Sequence, residues 1–434
     1  MSTELLKVVE RAKKDPTAQM YSLARLVDPD ALKRAFARIR KDAAVGVDGI
    51  TKEQYGQQLE GNVQELHRRL KAGQWRHRPI RRVHIPKAPG RTRPIGISCI
   101  EDKMVQGALT EVLEAIYEQD FLPCSHGFRH GRSAHDAIRA LDAMVFREGL
   151  VWILEADIQA FFDSLNRSRL KEILQQRVAD QSFMRLVGKC LQVGVLDGEV
   201  FTRPEEGTAQ GSIISPMLGN VYLHHVLDQW FEREVKAHLA GRARLIRYAD
   251  DFVMGFETQD DAELVMAMLH QRMADFGLTL HPDKTRLIAF RRPHWSQSGG
   301  KGLATFDFLG FTVYWRRTRK GRWVVALKTR KARLLRALKA VGEFCRRHRH
   351  DPLKVQHAAL TRRLVGHFNY FGVNGNSRSL SMLVCFAERQ WHKWLNRRSQ
   401  RRRLNWRRFH DFLKVFPLPR PTIRVRIWDA APRA

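Results

Sequence analysis

Residues 247–256, RYADDFVMGF, set two adjacent carboxylates, Asp250 and Asp251, between apolar, β-prone runs. Neighbouring like charges repel, and carboxylates among apolar residues are costly to bury without a cation or hydrogen-bond donors. The segment is therefore predicted to fold as two short strands, ARLIRY and DFVMGF, meeting at a tight turn, because Ala-Asp-Asp is turn-compatible and its flanks favour strand. Taken alone, such a pair is more ordinary as a surface turn. Its setting is unusual, because the 434-residue chain carries 76 Lys and Arg against 45 Asp and Glu, a formal net charge of +31.

An excess of that size destabilises a compact chain through self-repulsion unless a polyanion neutralises it. Nucleic acid is the first candidate partner and an anionic membrane surface the second. No run approaches the roughly 18 apolar residues of a membrane span, and the start, MSTELLKVVERAKKD, lacks the apolar core of a signal peptide. The five cysteines are scattered without a C-x-x-C pair, and the 18 histidines show no H-E-x-x-H. A disulfide framework and a zinc site are thus not expected, so any metal chemistry should use oxygen ligands. The expectation is a soluble intracellular protein.

A hydrophobic content of 44% over this length supports two or three folded units. RRVHIPKAPGRTRPIGI reads as two strands around a Pro/Gly turn, and EDKMVQGALTEVLEAIYEQ as an amphipathic helix. Ser133 is a good N-cap for AHDAIRALDAMV, and Ser215 caps a helix with Pro216 at its first position. VWILEADIQAFF is an apolar strand ending on an acid, and FDFLGFTVYW a further strand pair. Beyond about residue 316 the character changes. Residues 316–350 hold fourteen Lys or Arg and one acid, Glu343, while Leu334, Leu338, Val341 and Cys345 keep a helical stripe. WHKWLNRRSQRRRLNWRRFH adds eight basic residues interleaved with aromatics. A boundary near 316 separates an α+β core from a basic helical domain.

Asp157 ends the apolar strand WILEAD, which implies burial and hence a compensating partner. Phe162, five residues on, could pack on a sugar ring or simply in the core. GTAQGSIISP precedes a helix; its Gly207 and Gly211 allow close backbone approach to a ligand, and Gln210 offers an amide. A tight loop without a ligand fits that segment equally well. Lys87 and Arg93 flank the Pro/Gly turn, from which cations can reach phosphate oxygens. Together these fit two-metal phosphoryl transfer: Mg2+ takes hard oxygen ligands, and ions about 3.5–4 Å apart clamp attacking and leaving oxygens. Asp157, Asp250 and Asp251 supply the negative charge, and the ions relieve its repulsion.

The succession IPKAPGRTRPIGI, SHGFRHGRSAHDAI, LEADIQAFFDSL, GTAQGSIISPMLGNVYL, RYADDFV, GLTLHPDKTRLI and FDFLGF resembles the ordered blocks of bacterial group II intron-encoded reverse transcriptases. VGVDGIT upstream, and RRLVGHFNYFGV with SRSLSMLVCFAERQWHKWLNRR downstream, are similar to the family's N-terminal and maturase regions, so the likeness covers roughly residues 30–430. It implies a right-hand polymerase: N-terminal extension and fingers with part of the palm over 1–155, palm over 156–315, and a helical thumb/maturase domain over 316–434. It implies Asp157, Asp250 and Asp251 as metal ligands, with the Ile158 backbone carbonyl assisting. Two Mg2+ ions are implied, with Mn2+ able to substitute. Phe162 takes the steric-gate position, Lys87 and Arg93 the triphosphate, Gln210 and Gly211 the nucleotide pocket, and Lys284 supports the site from the palm. The implied partners are an RNA template, a DNA or RNA primer, dNTPs and group II intron RNA. The implied setting is the cytoplasm of a prokaryote, with RNA-directed DNA synthesis and help in intron splicing and mobility as the implied roles. TAQGS departs from the family at Ala209 and Ser212, where Pro and Gly are usual, and polymerisation is expected to survive this. The chain has no Cys/His-bearing endonuclease segment, so target-strand cleavage is not expected. Alternatives are a relative recruited by its host for DNA repair or defence, and a non-enzymatic RNA-binding splicing factor, to which three clustered carboxylates would bring nothing.

Overall fold

The computed structural model describes residues 2–88, 91–202, 206–208, 210–296, 302–399 and 404–427; the side chains of Lys87, Ala88 and Arg91 lie outside that description, as does Ala209. The strands in chain order are β1 (Ile80–Ala88), β2 (Arg91–Ile97), β3 (Trp152–Asp157), β4 (Val195–Asp197), β5 (Val200–Thr202), β6 (Ala243–Tyr248), β7 (Asp251–Phe256), β8 (Arg286–Ala289), β9 (Phe306–Phe308), β10 (Phe311–Arg317) and β11 (Trp323–Thr329). They form three small sheets ordered β2-β1-β4-β5, β6-β7-β3-β8 and β11-β10-β9. The alternation of strand-rich segments with helices is the α+β architecture that the sequence predicts.

The second sheet is the centre of the molecule. β3, β6, β7 and β8 are antiparallel, and apolar residues from both faces are buried, with Leu154, Ala156, Phe252 and Met254 in one core cluster and Ile153, Ile246 and Val253 in another. The 21-residue helix Ile100–Asp120 runs through the larger cluster. The sequence predicts an amphipathic helix there, but the structure buries it on nearly every side, including Asp102, Gln106 and Glu111. Its polar groups are tolerated because they are paired: Glu111 accepts from Arg34 and lies beside Arg38, and Gln106 Oε1 accepts from the Ile213 backbone N–H.

Ser133 caps its helix as expected, in a reciprocal capping box with Asp136. The helix after the glycine-rich loop starts one position earlier than predicted. Ile214 is the capping residue and Ser215 already belongs to Ser215–Leu223, which continues as a π-type turn through His224–Glu234. The Ile214 carbonyl accepts the first helical bond from Leu218, so the backbone closes without a side-chain cap. Past residue 316 the chain completes the β10–β11 hairpin before helices Lys331–Arg347, Leu353–Phe371, Ser377–Leu395 and Trp406–Val415 pack around their own core of Val341, Leu364, Leu383, Trp391 and Phe409. Among the described residues no helix is long and apolar enough to cross a membrane.

Candidate active site

Strand pairing brings the predicted acids together. β3 and β7 are antiparallel with Asp157 directly opposite Asp251, so the two side chains share a face at about 4.5–5.5 Å between Cβ atoms. β6 and β7 are joined by a two-residue loop, Ala249-Asp250, closed by the pair Tyr248–Asp251. Ala249 has φ 57°, a left-handed conformation uncommon outside Gly and Asn. Burial and the negative charge of Asp157 raise the Asp250 carboxyl above its ordinary value. Burial, Asp157 and Asp250 push the Asp251 carboxyl up to about 7. Three hard-oxygen acids gathered on adjoining strands, two of them resisting ionisation, form a donor set suited to a divalent cation. Among the described residues, however, no three acidic, His or Cys side chains already converge as a metal cage. Lys284 Nζ, from the short turn Pro282–Lys284, forms an ion pair with Asp157 Oδ2 at 2.5 Å. Ile158, next in the chain, is buried and bridges to Leu280.

The strained turn is held from beneath by a residue that sequence reasoning missed. Arg247 is fully buried on β6, and all five guanidinium donors are engaged. Two go to Asp228 (2.7 and 2.6 Å), one each to Asn220 Oδ1 (2.9 Å) and Ser125 Oγ (2.8 Å), and one to the Ala249 carbonyl in the turn itself (3.1 Å). Burial opposes the charge on Asp228, yet the Arg247 guanidinium beside it holds the carboxyl below its ordinary value. Gly127 lies against the turn, and a Cβ there would come 2.3 Å from the Ala249 nitrogen, so no other residue fits. The available signal was a lone Arg in the apolar strand LIRY and a lone Asp in the apolar helix VLDQWF.

A second missed contact reaches Asp251. β9 and β10 are joined by Leu309 and Gly310, with φ 50° and 81°, both left-handed as a type I′ hairpin requires. The Leu309 backbone lies close enough to favour the ionised Asp251 carboxylate, against the burial that opposes it, and the Leu309 carbonyl accepts from the Tyr370 hydroxyl at 2.9 Å. The basic helical region is thereby tied to the acid turn.

The predicted nucleotide-handling residues also meet. Arg93 Nε donates to Gln210 Oε1 at 2.9 Å, and the Gly96 N–H donates to the Gln210 carbonyl at 2.6 Å. Gly211, at φ 104°, lies where a Cβ would be 2.5 Å from the Gly96 carbonyl. The loop docks on the short helix Phe161–Ser164, with the Thr208 N–H donating to the Phe162 carbonyl at 2.6 Å. Phe162 is half-buried, its ring 5.2 Å from that of Phe161. Lys87 is on β1, with its side chain outside the described residues.

A family profile described as "Reverse transcriptase (RNA-dependent DNA polymerase)" matches residues 85–313, more than half of the chain. The chain belongs to that reverse transcriptase family. The matched span runs from β1 into β10 and so contains the acid turn, Phe162 and the Gln210 loop. Protein YkfC of Escherichia coli (strain K12) is 32% identical over 371 residues, covering 75% of this chain and 92% of that relative. Group II intron-encoded protein LtrA of Lactococcus lactis subsp. cremoris is 32% identical over 218 residues, 48% of this chain and 36% of LtrA. The putative COX1/OXI3 intron 1 protein of Saccharomyces cerevisiae is 26% identical over 304 residues, 59% of this chain and 36% of its own length. This reverse transcriptase is thus of the group II intron/maturase type, although the matches span only about a third of those two intron proteins.

Proposed function

We propose that the chain copies RNA into DNA by nucleotidyl transfer at the β6–β7 turn, extending a DNA or RNA primer with dNTPs. The observation that carries this is the register placing Asp157 opposite Asp251, one residue from Asp250. Asp157, Asp250, Asp251 and the Ile158 carbonyl would hold two Mg2+ ions, or Mn2+ in their place. When bound, such ions stabilise charge on the attacking 3′ oxygen and the leaving pyrophosphate. Lys284 releases Asp157 for that purpose and remains beside it as a counter-charge. Arg93, steadied by Gln210, together with Lys87, neutralises the incoming triphosphate. Gly211 lets the backbone of that pocket approach the nucleotide closely. The ring of Phe162 selects deoxyribose by excluding a 2′-hydroxyl.

The basic helical region binds RNA through its phosphates, and group II intron RNA, with a role in its splicing, is the partner proposed. A purely RNA-binding splicing factor is disfavoured by the acid cluster, which repels such a ligand. Recruitment by a host for repair or defence would use the same site.

Primer extension on an RNA template with dNTPs and Mg2+ tests the reading. DNA product dependent on template and divalent ion is expected, and none from the purified, folded chain would overturn it. Phe162→Ala should raise ribonucleotide relative to deoxynucleotide incorporation by about 10- to 100-fold, the scale of a steric contact of roughly 1–3 kcal/mol. Single-nucleotide incorporation kinetics measure that ratio.

A further inference from the structure

The block SHGFRHGRS, residues 125–133, is built inside out. Arg129 is only 9% exposed, while Phe128 beside it is 56% exposed. The buried guanidinium is accommodated because Glu118 pairs with it at 3.0 Å and the Leu122 and Ser125 carbonyls accept from it at 3.0 Å. The Phe121 ring adds a face 5.1 Å away. Arg132 likewise donates to the Pro123 and Ser125 carbonyls, at 2.8 and 3.2 Å. Apolar side chains leave water spontaneously and guanidiniums do not, so folding alone favours the reverse arrangement. Phe128 is also strained. Its φ of 54° is left-handed, a rare and costly conformation for a bulky residue. An exposed ring offsets neither cost within the fold, and strain held in place by its surroundings points to a task outside it.

The surroundings that hold Phe128 are those of the acid turn. Ser125 and Arg247 form a parallel bridge, in which the His126 N–H donates to the Arg247 carbonyl and the Arg247 N–H to the Cys124 carbonyl, both at 2.8 Å. The Gly127 carbonyl accepts from Asn220 Nδ2 at 2.7 Å, and a Cβ on Gly127 would come 2.3 Å from the Ala249 nitrogen. One further Cα step places the Phe128 backbone within roughly 8 Å of that nitrogen. Asp250 follows directly. The seat of the exposed ring and the turn that carries the acids therefore belong to one rigid framework, and the nucleotide nearest both is the one that bears the reacting 3′ oxygen.

We propose that Phe128 is a primer contact, its ring packing on the primer-terminal nucleotide and helping to hold the 3′ oxygen at the acid turn. Every base has a flat face that an aromatic ring can meet, so such a contact tolerates any sequence, as copying requires. Arg129 and Arg132 do not take this part, because their donors are engaged by carbonyls of the block and by Glu118. The proposal rests on the reading that the acid turn extends a primer, but part of its test needs no synthesis.

Phe128→Ala should raise the half-saturating concentration of primer–template by about tenfold or more, the scale of one lost base–aromatic contact, and leave that of dNTP unchanged. Phe128→Trp keeps an aromatic face and should bind primer–template like the parent. Phe128→Gly separates strain from contact: glycine adopts the left-handed conformation freely, so this variant should unfold at a higher temperature than Phe128→Ala yet bind primer–template no better. Leu264→Ala, at an exposed position on the helix Gln259–Asp275, is the control and should change neither half-saturation. Phe128→p-benzoylphenylalanine, irradiated with primer–template in the absence of dNTPs, should crosslink to the last nucleotide of the primer. Parent-like half-saturation in Phe128→Ala, or a crosslink that is absent or confined to the template strand, would overturn the proposal. A parent chain that fails to extend the primer, while the crosslink to its end still forms, would instead sink the polymerase reading and leave the contact standing.

Discussion

Asp228→Ala is expected to destabilise the protein by about 3–5 kcal/mol, because it strands the fully buried Arg247 guanidinium without its counter-charge. That is a large fraction of the roughly 5–15 kcal/mol by which most domains are stable. Urea or thermal unfolding measures it, and removal of the exposed Arg242–Glu257 pair by Glu257→Ala is the control, expected to change nothing measurable. The same pair sets an acid limit. Arg247 holds the Asp228 carboxyl below its ordinary value, so its contribution is fully present above the unfolded value near 4. It is lost as pH falls through the depressed folded value. Arg247→Met/Asp228→Leu should recover much of the stability, since matched apolar replacements of buried ion pairs are often tolerated. It should not recover DNA synthesis, because Asn220, Ser125 and the Ala249 carbonyl lose the donor that fixes the strained turn. If the double variant were both stable and active, the clamp would be a matter of stability alone.

The elements with strong local signals were legible in the sequence. The β6–β7 hairpin follows from apolar runs around a turn tripeptide, the Ser133 cap from its helix signature, and Asp157 from an acid closing an apolar strand. What joins distant segments was not legible. Arg247 and Asp228 are each visible as a charge in an apolar run, but nothing in one sequence says that they pair, or that Ser125, far upstream, completes the set. The influence of Leu309 on Asp251 comes from its backbone, which every residue carries, and so leaves no residue-type signal. The helix Ile100–Asp120 shows the complementary failure: its three-and-four spacing announced one apolar face, while tertiary partners for Asp102, Gln106 and Glu111 buried the rest. Arg93, Gln210 and Gly211, expected to handle the nucleotide, do meet in the structure. Hydrogen bonds from Arg93 Nε and the Gly96 N–H to Gln210 hold them there, a pairing that no single stretch of sequence announces.

Asp250→Asn is expected to abolish DNA synthesis, by about 10³-fold or more, which corresponds to roughly 4 kcal/mol of transition-state stabilisation. The substitution preserves shape and removes one charge, so lost folding does not explain the loss. Stability should move the other way. Burial and Asp157 disfavour the ionised Asp250 carboxyl, so a neutral amide should raise the melting temperature in chelator at neutral pH. A variant that is inactive yet more heat-stable would mark Asp250 as retained for chemistry against the interest of the fold. Asp251→Asn tests the neighbour. Asp251 is proposed to hold the same ions, so Asp251→Asn should also lose DNA synthesis, by about tenfold or more. Steady-state incorporation at saturating Mg2+ compares the two; an Asp251→Asn variant as active as the parent would remove Asp251 from the set that holds the ions.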